Sequence, residues 1–60
     1  MIRISIDLTD TEALALAQMS KRMIIDWVRP FSASEQEAQL MWDALCKVRR
    51  ALRENDVAPR

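Results

Sequence analysis

A thiol with cationic neighbours is the first place to look for chemistry in this sequence. Cys46 sits in the stretch LCKVRRALR, close to Lys47, Arg49 and Arg50. Positive charge of that kind can lower a thiol's pKa and favour the nucleophilic thiolate. Nucleophilic catalysis also needs a base, and the chain has no histidine. It has no glycine either, so no glycine-rich loop can cradle a phosphate. The carboxylates Asp10, Glu12, Glu35 and Glu37 fall where two helices are expected to start, and capping accounts for them there. One cysteine and no histidine leave a structural zinc site short of its four ligands. These residues point away from an enzyme and away from any cofactor. Cys46 itself reads as a semi-buried packing residue beside an apolar stripe.

Binding is the better-supported chemistry. The run KVRRALR, residues 47–53, holds four cations and no acid. It closes a segment whose opening half carries Glu35, Glu37 and Asp43, the polarity that a helix macrodipole favours. At 100° per residue, Trp42, Cys46, Arg49 and Arg53 share one narrow stripe. An aromatic with arginines at helical spacing is the composition of an interface hot spot. The same four residues also suit a tryptophan packed under arginine stems. Met19, Met23 and Met41 could build an adaptable surface, but the positions of Met23 and Met41 suit gap-filling in a core.

Two helices must position this stripe. Ala38, Met41, Trp42, Leu45, Val48 and Leu52 recur at helical spacing and define a helix over about 34–54. Ser32 with Glu35 and Ser34 with Glu37 both fit a capping box; Ser34 leaves the longer connection and is preferred. With no glycine available, Asn55 is the best residue for the left-handed position at the helix end, and the tail 55–60 is expected to be loosely held. Upstream, Thr9 and Glu12 form another capping box. Ala13, Leu16, Ala17, Ser20, Met23, Ile24 and Trp27 share one face, with Thr11, Gln18, Arg22 and Asp26 opposite. This predicts a helix over about 10–28, ended by Pro30, which disfavours the α region at Arg29. The pair should pack as an antiparallel hairpin.

The first eight residues, MIRISIDL, have a different period. Ile2, Ile4, Ile6 and Leu8 alternate with Arg3, Ser5 and Asp7, which predicts a strand over about 2–8. No second strand is evident, so its backbone groups need a partner. Antiparallel pairing with a second copy about Ser5 would set Ile4 against Ile6, Ile2 against Leu8 and Arg3 against Asp7. Adding to the sheet edge of another protein is the alternative. The fold class expected is thus mainly α with one N-terminal strand, β-α-α, in one small domain over 1–60. Sixty residues bury only about 60% of the unfolded surface, and one cysteine allows no internal disulfide, so a homodimer is the natural supplement.

Nine basic and nine acidic residues cancel, and the balance holds in both halves, so no global field steers the chain to nucleic acid or to an anionic membrane. No signal peptide or spanning segment is evident, and the lone thiol suits a reducing compartment; a cytoplasmic location is expected.

Two resemblances sharpen the expectation. The order RISIDLTDTEALALAQ followed by a helix at SxSE is similar to the ribbon-helix-helix repressors. That resemblance implies a dimeric DNA-binding regulator whose outward strand residues, here Arg3, Ser5 and Asp7, read bases. It also implies a phosphate held near Ser32 to Glu35. The segments LTDTEALALAQ, EAQLMWDAL, VRRAL and the terminal APR resemble a family of very short uncharacterised proteins of proteobacterial phages and mobile elements. In size and character these resemble anti-CRISPR inhibitors. That resemblance implies a non-catalytic protein that binds and blocks a host defence complex of the CRISPR-Cas type inside the bacterial cell. Zero net charge supplies little of the phosphate attraction that DNA binding needs, so the interaction reading leads and the regulator is the alternative. The expected partner surface is Trp42, Cys46, Arg49 and Arg53.

Overall fold

In a computed structural model that describes residues 1–57, the chain forms helices α1 (Asp10–Arg22), α2 (Ile25–Val28) and α3 (Glu35–Glu54), with a 3-10 turn at Arg29–Phe31 between the last two. The expected strand over 2–8 is absent, and no strand occurs among the described residues. All nine residues before α1 are exposed and irregular. The physical reason lies in the backbone. A strand is held by bonds to a neighbouring strand, and every other described element here is helical. The β-α-α class is therefore corrected to a mainly helical fold with no strand among the described residues, in which Ile2, Ile4, Ile6 and Leu8 stand on irregular chain.

The start of α1 follows the sequence closely. Thr9 is the N-cap: its hydroxyl accepts from the Glu12 N–H at 3.1 Å, and the Glu12 carboxylate accepts from the Thr9 N–H at 3.0 Å. The Thr9 backbone N–H, and then its hydroxyl, hold the Glu12 carboxyl below the ordinary value of 4.5. A group whose folded pKa is depressed adds stability above its unfolded pKa and loses it as pH falls through the folded one. Helix content should therefore drop on acidification below the ordinary value, and Glu12→Gln should flatten that part of the profile. Circular dichroism across an acid titration checks this; equal profiles for both proteins would contradict it.

The first helix ends earlier than the periodicity suggests. Met23 and Ile24 are both extended, with ψ of 145° and 162°, so the chain turns after Arg22 instead of continuing to Val28. Ile24 and Ile25 are adjacent β-branched residues, whose stiff χ1 weakens a helix. Pro30 does not terminate a helix. Arg29 is αR, and Pro30 occupies the first turn of the 3-10 segment, where its missing N–H costs no bond. The two-helix hairpin is thus replaced by three helices, with α1 and α2 each packed on α3.

Around the break, one arginine ties the connection together. The Arg29 guanidinium meets Asp26 on one side and grips Glu35 on the other, with Nε and Nη2 at 3.0–3.2 Å from its carboxylate. All three groups are exposed, so the gain in stability is small, about 0–1 kcal/mol for each pair. Its effect is to fix where α3 begins. Ser34 is the N-cap there, accepting from the Glu37 N–H at 3.1 Å. Glu37 reaches back to the Ala33 N–H rather than to that of Ser34, so the reciprocal bond lands one residue early. Ser32 donates its hydroxyl to the Arg29 carbonyl instead of capping.

The far end of α3 closes with two reversed bonds, Val57 N–H to Leu52 O and Asp56 N–H to Arg53 O. Asp56, with φ 62°, takes the left-handed position expected of Asn55, which is the C-cap at φ −99°. Of the tail 55–60, residues 58–60, including the terminal APR, lie outside the described residues.

The core is small: Ala17, Val28, Ala38 and Leu52 are its buried apolar members, joined by Ser20. The Ser20 hydroxyl donates to the Ala17 carbonyl at 2.9 Å, so its burial leaves no orphan polar atom. Small residues at 17 and 20 let α1 approach α3 closely. Ile24, Trp27 and Val48, expected on core faces, are exposed instead. The early break turns Ile24 and Trp27 away and brings Val28 inward.

Candidate interaction surfaces

The stripe expected to bind a partner lies on one flank of α3. Positions 42, 46, 49 and 53 fall within one helical row, so the four side chains neighbour one another along the helix. Trp42, Cys46 and Arg49 are half-buried and Arg53 is exposed. Arg49 and Arg53 line a small cleft with Ala17, Ser20 and Val57, where α1 crosses the C-terminal half of α3. Long arginine stems over small residues suit a packing role, since the methylenes can cover apolar surface while the heads stay wet.

The charges are uncompensated, however. Among the described residues neither the Arg49 nor the Arg53 guanidinium forms an ion pair or hydrogen bond, whereas that of Arg29 is engaged by two carboxylates. Lys47 and Arg50 extend the same cationic end of α3, and both are exposed. Such an arrangement can accept a carboxylate or phosphate from outside, with guanidinium forks offering two parallel bonds each.

The residues of the alternative DNA reading lack the frame it requires. Arg3, Ser5 and Asp7 are exposed but stand on irregular chain, so no ribbon holds them at strand spacing. Among the described residues no group of three or more His, Cys, Asp or Glu side chains is placed to hold a metal ion, and no helix is long and apolar enough to cross a membrane.

The fold also builds a surface that includes two residues, Met23 and Trp27, which periodicity assigned to the core. Where α1 ends and the chain doubles back, Met19, Met23, Trp27 and Phe31 line an open groove of about 520 Å³, with Gln18 and Arg22 at its rim. The Arg22 guanidinium donates to the Gln18 side chain at 3.0 Å across one helical turn. Met19, Trp27 and Phe31 are 50%, 54% and 77% exposed, which is far more than core residues of this size show. The signal in the sequence is the Ile24–Ile25 pair. A reading that broke the helix there would have moved Trp27 off the buried face.

A family model matches residues 1–60, and the chain belongs to that family, a family of unknown function (DUF7706). No curated protein and no solved structure matches the chain.

Proposed function

We propose that this family member is a non-catalytic interaction protein of phage or mobile-element origin. It acts in the bacterial cytoplasm by binding and blocking a host defence complex of the CRISPR-Cas type. The observation that carries the reading is the flank of α3. Trp42 is half-buried in the same helical row as Arg49 and Arg53, and neither guanidinium has an acidic partner among the described residues. Half-buried aromatics flanked by arginines are the residues most enriched where binding energy concentrates. Acidic groups on the partner would engage the arginines bidentately while Trp42 fills an apolar recess. Cys46, half-buried in the same row, contributes packing rather than a reacting thiol.

The plaquing of a CRISPR-targeted phage on an immune host that expresses this protein tests the reading. Restored plaquing is expected, without cleavage or modification of any component of the complex. Unchanged immunity across several defence types, at verified expression, would overturn it.

A further inference from the structure

We propose that a second copy of this chain covers the Met19–Trp27–Phe31 groove, and that it does so with its N-terminal arm, residues 1–8, in a reciprocal exchange. Three observations converge on that occupant. The first is the arm. Ile2, Ile4 and Ile6 are 87%, 78% and 68% exposed, and no residue from 1 to 8 makes a backbone hydrogen bond within the described chain. If the arm extends on docking, alternation would put the isoleucines and Leu8 on one side and Arg3, Ser5 and Asp7 on the other. That is how a segment laid across an apolar surface should read, one side in and one side wet.

The second is area. The chain exposes 5249 Å², whereas a compact folded monomer of 7.0 kDa exposes about 4,000 Å². The excess is larger than the roughly 800 Å² per partner that a standard interface buries. Arm and groove are both apolar, and the single chain leaves both uncovered.

The third is fit. Seven extended residues span roughly 23 Å; the eight α1 residues from Ala15 to Arg22 that bound the groove span about 12 Å, and Met23, Trp27 and Phe31 carry it on past the helix end. Each copy carries one arm and one groove, so exchange across a two-fold axis fills both and leaves neither open, which closes the assembly. A second copy is favoured over a foreign protein because four buried apolar residues must hold the fold before any other partner is met. The contact needs no strand pairing. It also stands apart from the proposed inhibitor role, whose surface is on the other side of α1.

Sedimentation and methionine oxidation across a concentration series test the exchange. The natural protein should sediment at twice 7.0 kDa. Oxidation of Met19 should slow by about tenfold or more on association, while half-buried Met41 changes little. Ile4→Asp with Ile6→Asp should weaken dimerisation at least ~100-fold, because two carboxylates would enter an apolar groove. Both positions are exposed in the single chain, so helix content by circular dichroism should be unchanged. A monomer throughout the series, a dimer indifferent to the aspartates, or a dimer in which Met19 oxidises as fast as in the monomer would each overturn the proposal. None of these outcomes bears on phage plaquing, so the two readings fail separately.

Discussion

Leu52→Ala is expected to cost about 2–5 kcal/mol, the usual loss when a buried leucine becomes a cavity. A chain of sixty residues has a total stability of only about 3–9 kcal/mol. The substitution should therefore leave the protein largely unfolded near body temperature. The size of the effect follows from how little else is buried. Leu52 is the largest member of a core whose other apolar residues are Ala17, Val28 and Ala38. The backbone carbonyl of residue 52, which accepts the Val57 N–H in the reversed closing bond, is kept by alanine, so the loss reports the side chain alone. Leu40→Ala on the same helix is the control. Leu40 is 62% exposed, so its loss should stay within about 0.5 kcal/mol. Urea denaturation followed by circular dichroism separates the two. Similar midpoints for both variants would mean that the core is not where the burial pattern places it.

What the sequence made legible is mostly local. Thr9 with Glu12, and Ser34 ahead of Glu37, announce helix starts because a cap is decided by neighbours three residues apart. The buried stripe of α3 was legible for the same reason, Val48 excepted: Ala38 and Leu52 are buried and Met41, Trp42 and Leu45 half-buried, as a 3.6-residue period requires, while Val48 is exposed. The reading failed wherever a local pattern had to be completed by a distant partner. MIRISIDL alternates as a strand does, but alternation reports which side is apolar and not whether anything lies alongside to pair the backbone. The face running from Ala13 to Trp27 was continuous on paper and broken in space. The chain is extended at Met23 and Ile24, and α2 folds back onto α3 after that break. Pro30 misled for a related reason, since a proline that would break a long helix is harmless in the first turn of a short one. The stripe at 42, 46, 49 and 53 was legible as a row. Its neighbours across the cleft, Ala17 and Ser20, needed the fold.

The second large effect concerns that row. Arg49→Glu together with Arg53→Glu should reduce affinity for the defence complex by about 2–4 kcal/mol, or roughly 30- to 1,000-fold in Kd. Under the proposed contact, reversal would set acidic groups of the partner against like charge, so the loss should exceed that of simple removal. Neither arginine takes part in an ion pair among the described residues, so the loss of helix should be limited to the macrodipole cost of acids near the end of α3, about 0.3–1 kcal/mol each. The direct measurement is titration of purified complex with the natural and the charge-reversed protein, with circular dichroism run on both. Tight binding by the natural protein and loss of that order in a folded variant is the predicted result. Equal Kd values for the two folded proteins would contradict the assignment of the α3 flank as the binding surface.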